Sequence, residues 1–201
     1  MGAAVRPVVL RDRVEIEDPL TVVVNLVEAW RLDVGGPLRP STFDESDLRA
    51  ANRGGARIAA TEIATILERR RAIVRALRAI APEASLTAAA GSVPWVPLRR
   101  LFDAFADIQG VGLAKTTKTL HPKRPALIPM LDSVVQKYLL DDDVGAKAPF
   151  GERALGLVRG YKRDLDRNRG AVRAVRRELT RRGYRLTEVR ILDLLIWSVK
   201  A

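Results

Sequence analysis

Residues 110–135 read GVGLAKTTKTLHPKRPALIPMLDSVV, and the interpretation of this stretch decides the fold. Gly110 and Gly112 bound a tight turn between a helix ending near Asp107 and another starting near Leu113. Glycine adopts backbone angles that a side chain resists, and it lets a ligand come close to the chain. Amides at the start of the second helix are then placed to donate to a phosphate. Val111 lies within the turn, and Lys115, Thr116, Thr117 and Lys118 follow it. Such contacts position a nucleic-acid backbone without reading its sequence. The plainer reading is a helix–helix connection and nothing more. No GxxxxGK[ST] loop is present, and no strand–GxGxxG–helix unit, so the common nucleotide-phosphate loops are excluded. Further on, Lys123 and Arg124 read either as a surface pair or as phosphate contacts. The apolar run Leu127 to Leu131 then delivers Asp132 to the start of a short helix, where it fits an N-cap. His121, the one histidine, reads as a helix C-terminal residue bonded to a carbonyl.

Outward from this stretch, nearly every periodic segment is helical. Asp18-Pro19 opens a helix carrying Leu20, Val23, Val24 and Val27 at helical spacing. Thr42 and Glu45 predict a capping box for a short helix that Gly54-Gly55 ends. A long helix is expected from about Arg57 to Ile80, with a basic face along ERRRAIVRALR. Leu98, Leu101, Phe102 and Phe105 form the stripe of the helix before the turn. Ala154 to Leu165, Val172 to Leu179 and Glu188 to Val199 supply three more. Residues 7–16 suggest a short strand or a draping arm, and VGGPLRP, from Val34 to Pro40, a loop. The fold class is therefore all-α: one helical domain over 1–201, with a possible lobe break at 82–97 and a helix-hairpin-helix element at 98–121.

Composition narrows the function classes. The chain has 35 basic and 24 acidic residues, a net charge of +11, which favours polyanionic partners. It has no cysteine, so disulfides, thiol nucleophiles and cysteine-held clusters are impossible. No catalytic triad is supported. Asp141-Asp142-Asp143 lacks calcium-site spacing and reads as a solvated run. Arg190 and Asp193, three apart on the last helix, are spaced to pair. No apolar run is long enough for a membrane span, so a cytoplasmic protein with no membrane partner, cofactor or metal is expected.

The turn and the segment after it resemble the helix-hairpin-helix DNA glycosylase superfamily. Ile108-Gln109-Gly110-Val111-Gly112 stands where that superfamily has its hairpin. Asp132 matches its catalytic carboxylate in order and spacing, and Val135 matches an apolar position after it. The resemblance implies a double-stranded DNA partner. It also implies that Asp132 stabilises positive charge on the sugar while water attacks, once the base has left the stack. Tyr138, Trp95 and Trp30 are the stacking candidates. Lyase-competent members carry Lys where this chain has Ala114, and Lys115 points about 100° away around the helix, so no lyase step is implied. A closer resemblance is to an uncharacterised, mainly actinobacterial family of unknown function (DUF6308-like). It is carried by DLRAANRGGARI (Asp47 to Ile58), KRPALIPMLDSVV (Lys123 to Val135) and VRILDLLIW (Val189 to Trp197). Three readings stand: a noncatalytic DNA-binding protein on a glycosylase-like scaffold, a monofunctional DNA N-glycosylase using Asp132, or a helical protein-interaction module. The expected DNA contacts are Gly110, Val111, Gly112, Lys115, Thr116, Lys118, Lys123 and Arg124.

Overall fold

The computed structural model describes residues 6–30 and 39–200. Most of the loop expected at Val34 to Pro40 lies outside these residues, as does the side chain of the stacking candidate Trp30. Within them, ten α-helices, four short 3-10 turns and one small hairpin make up the regular structure. The N-terminal segment forms β1 (Val8–Val9) and β2 (Glu15–Ile16), antiparallel, with Val8 opposite Ile16. Asn168 pins this hairpin, its side chain accepting from the Val9 amide and donating to the Val9 carbonyl, both at 2.9 Å.

The helices follow the apolar spacing. They are α1 (Pro19–Trp30), α2 (Glu45–Arg53), α3 (Ala60–Glu68), α4 (Arg70–Arg78) and α5 (Trp95–Asp103). Then come α6 (Leu113–Leu120), α7 (Ser133–Tyr138), α8 (Phe150–Arg167), α9 (Arg169–Arg181) and α10 (Glu188–Lys200). Two expectations are corrected. The cap of α2 is Asp44, not Thr42: its carboxylate accepts from the Ser46 amide, and Asp47 reaches back to the Asp44 amide at 2.9 Å. The long helix expected to Ile80 is two helices, broken at Arg69. Arg69 leaves helical geometry at ψ 4°, and its guanidinium donates to the Ala106 carbonyl at 2.6 Å, tying the break to the segment after α5.

One cluster of buried apolar side chains runs from Val8 to Ile196. Its centre is α5 packed on α8. Leu98, Leu101, Phe102 and Phe105 are fully buried, and Phe105 meets Phe43 edge to face at 6.1 Å. Each such side chain stabilises the fold by about 1.5–3 kcal/mol. Gly151 permits the close crossing: a Cβ there would sit 2.8 Å from the Arg99 carbonyl oxygen. The 82–97 connection is held to this core by Lys162, which donates to the Leu86 and Ala88 carbonyls at 2.9 Å. α6 packs on α2, and α10 on α1, α7 and α9. No helix among the described residues is long and apolar enough to cross a membrane.

Candidate functional site

The glycine turn is a left-handed one, with φ 58° at Asp107 and 80° at Gly110. Its outer face meets a carboxylate from the same chain. A Cβ on Gly110 would lie 2.2 Å from Oε1 of Glu62, in the first turn of α3. Glu62 accepts from the Ala59 amide at 2.9 Å, and both of its oxygens lie 2.7 Å from the Lys115 ammonium. Burial alone raises the pKa of Glu62, but Lys115 and the Ala59 amide outweigh it and hold the carboxyl below its ordinary range. Lys115 is thus committed to an internal partner. Gly112 is exposed and caps α6, while Lys118 is half-buried and donates to the Gly55 carbonyl at 3.2 Å. Val111 and Thr116 point inward, at 5% and 0% exposure.

Lys123 and Arg124 are also interior, which corrects their reading as phosphate contacts. Lys123 is 1% exposed, and its ammonium lies 2.6 Å from the Asp47 carboxylate. Arg124 is fully buried. Its guanidinium donates to the carbonyls of Leu77 and Ile80, where α4 ends, and to those of Pro40 and Lys123. Leu77 also accepts from the Ile80 amide at 3.1 Å, so Arg124 adds a second donor there and serves the chain just past α4 at Ile80. Thr116, Val111, Lys123 and Arg124 therefore build the fold, each at 5% exposure or less.

Asp132 caps α7. Its Oδ1 accepts from the Val134 and Val135 amides at 3.0 Å, and its Oδ2 accepts from the Trp197 indole at 2.8 Å. Behind it lie the buried Asp193, His121 and Tyr161, with the partly exposed Arg190 beside them. Asp193 is 1% exposed. Its Oδ2 lies 3.9 Å from Arg190, the expected pair, and its Oδ1 has no hydrogen-bond partner among the described residues. Burial pushes its pKa up to about 7, against the pull of Arg190, and nearby Asp132 adds to the rise. His121 Nδ1 donates to the Ile128 carbonyl at 2.6 Å. Burial, helped by Arg190, lowers its pKa to about 4, so the ring is neutral.

If Asp132 acts chiefly as a cap, Asp132→Ala should cost about 1 kcal/mol for the cap and about as much for the orphaned indole N–H. That is a drop in melting temperature of about 4–8 °C in a chain of this size. Asn keeps one oxygen for the amides but turns its NH2 towards the Trp197 indole, so Asp132→Asn should lose about half as much, about 2–4 °C. Equal losses in the two variants would instead show that the charge matters more than the cap.

Two other expectations resolve here. The stacking candidates are engaged internally: Arg11 lies 5.3 Å over the Tyr138 ring, and Arg159 lies 5.4 Å over Trp95. The aspartate run is not simply solvated. Asp142 pairs with Arg11 and Arg163, and Asp143 with Arg153 at 2.7 Å.

The open cationic surface lies elsewhere. On α4, Ile73 and Leu77 face the core, while Arg70, Arg71, Arg75 and Arg78 are exposed and have no acidic partner among the described residues. On α9, Ala171, Val172, Val175 and Leu179 are buried, and Arg173, Arg176, Arg177 and Arg181 stand outward. These four line a groove of about 470 Å³ with Thr180 and Glu188. The α4 face was legible as a basic stripe. The α9 arginines were missed, though their spacing opposite Val172, Val175 and Leu179 carries the same signal.

The comparisons with known proteins give a family and no activity. The chain belongs to DUF6308, a family of unknown function whose model matches residues 28–200. No curated protein and no solved structure matches it.

Proposed function

We propose that this member of DUF6308 is a noncatalytic DNA-binding protein that grips the phosphate backbone of a duplex. The observation that carries this reading is the segregation of arginine onto the exposed faces of α4 and α9, opposite their buried stripes, in a chain of net charge +11. The planar guanidinium fork matches phosphate oxygens and stays charged at any working pH. Contacts of this type hold a duplex in place without selecting its sequence. The noncatalytic part rests on Asp132, whose two oxygens both serve the fold. The glycosylase-like scaffold is supported by chain order: α5, a glycine turn, α6, an apolar run, then an aspartate opening a helix.

The test uses the full-length chain and a fluorescent duplex titrated at several salt concentrations. Log affinity is expected to fall linearly with log salt, as counterions leave the DNA. The same protein, incubated with duplexes bearing damaged bases, should leave no alkali-labile sites. Base release by the unaltered protein and not by Asp132→Asn would replace this reading with a monofunctional glycosylase. Absence of salt-dependent binding at about 50 mM salt would leave the protein-interaction module.

A further inference from the structure

We infer that the α9 groove is the principal phosphate-binding site, taking successive backbone phosphates of one DNA strand on Arg173, Arg176, Arg177 and Arg181. The inference rests on the DNA-binding reading and says where the duplex sits. The groove is a shallow, open concavity that gathers these charges on one face. At about 470 Å³ it is large enough to receive phosphodiester groups, and its lining holds four arginines against one glutamate. From 173 to 181 the helix rises about 12 Å. One DNA strand presents about three phosphates over that length of its axis.

Glu188 shapes the site. It opens α10 and is only 10% exposed, with Oε1 3.2 Å from Arg176 and 3.9 Å from Arg173. It holds two guanidinium groups in place in the free protein and competes with any phosphate that arrives. Arg177 has no acidic partner among the described residues. Arg181 pairs with Glu178 at 2.6 Å but is 70% exposed, and an exposed pair of this kind yields readily to a doubly charge-assisted phosphate contact. The site is therefore partly preorganised, and Glu188 sets its affinity.

The matched control is α4, which carries the same number of exposed arginines. Two full-length variants each lose four charges: Arg173, Arg176, Arg177 and Arg181→Gln in one, and Arg70, Arg71, Arg75 and Arg78→Gln in the other. Both bind a labelled duplex of about 20 base pairs over a salt series. The α9 variant is expected to bind at least about tenfold more weakly, with its salt slope shallower by about 3, near 0.9 per lost phosphate contact. The α4 variant should lose less than about threefold by the same measure. Glu188→Gln should bind several-fold more tightly.

Equal losses from α4 and α9 would overturn the site while leaving DNA binding intact. An unaltered protein that does not bind would sink the parent reading as well. Tighter binding of an RNA duplex of the same sequence, through the same arginines, would overturn the choice of partner. Should the fourfold α9 variant melt early, Arg177→Glu decides alone, because that side chain is exposed and reverses charge in the groove. Unchanged affinity in Arg177→Glu would overturn the site.

Discussion

Arg124→Met is expected to destabilise the protein by about 3–5 kcal/mol, a large share of the 5–15 kcal/mol typical of a folded domain. The reason is the set of carbonyls that Arg124 serves. Leu77 lies in the last turn of α4 and Ile80 just past it, Pro40 lies in the segment before α2, and Lys123 is its own neighbour. Methionine fills much of the same channel but donates nothing. Each buried carbonyl left short of a donor costs about 1–3 kcal/mol. One term works the other way, since removing a buried cation relieves its desolvation. That penalty is visible in Arg124 itself, whose pKa burial pulls down from the usual arginine value. The carbonyls outnumber the charge, so the loss dominates. Lysine separates the two effects, because it keeps the charge and gives up the fork. Arg124→Lys should recover less than half of the loss. Urea denaturation measures both variants, and the expected fall in melting temperature for the methionine variant is about 6–20 °C. A methionine variant within about 1 kcal/mol of the unaltered protein would mean the carbonyls find other donors.

The same residue shows where reading the chain locally stops. A Lys-Arg pair between prolines looks like exposed loop, and nothing within ten residues contradicts that. What places Arg124 inside is a helix end 44 residues away and a carbonyl 84 residues away. The Gly110 turn has the same history. Its glycines announce a left-handed turn, but the carboxylate against it comes from Glu62, and the pairing with Lys115 spans 53 residues. The helices themselves were legible because their apolar stripes are local: Leu98, Leu101, Phe102 and Phe105 are buried as their spacing requires. The break at Arg69 was not, since no glycine or proline marks it and the partner of its guanidinium, the Ala106 carbonyl, is 37 residues away. Asp132 was legible as a cap because a cap is a matter of the next three residues. Its second partner, Trp197, is 65 residues on, and the buried Asp193 behind it gave no signal beyond its spacing from Arg190.

Asp193 and His121 give the second large effect, and it is a hidden one. The folded state raises the pKa of Asp193 from 3.8 to about 7, so the folded protein holds a proton that the unfolded chain has released. Stability from this group is complete below pH about 4 and is lost as pH rises to about 7. His121 runs the other way. Its pKa falls from 6.5 to about 4 on folding, so its contribution is complete above pH about 6.5 and is lost as pH falls towards 4. Between about pH 4 and 6.5 the two slopes oppose each other, and both groups feel the same Arg190. The unaltered protein should therefore show little pH dependence from this cluster, while single substitutions expose each arm. Asp193→Asn should gain stability relative to the unaltered protein as pH rises from 4 to 7, by an amount on the order of a few kcal/mol, and the difference should be flat above that. His121→Asn should lose stability relative to it over pH 4 to 6.5. Taking differences at each pH cancels the other carboxylates, which titrate in both proteins alike. Because Asp132 contributes to the raised pKa of Asp193, Asp132→Asn should move the Asp193 transition to lower pH. Urea denaturation at pH 4.5, 6.5 and 8 reads all three variants. A pH-independent difference for Asp193→Asn would mean that Asp193 keeps one protonation state across this range.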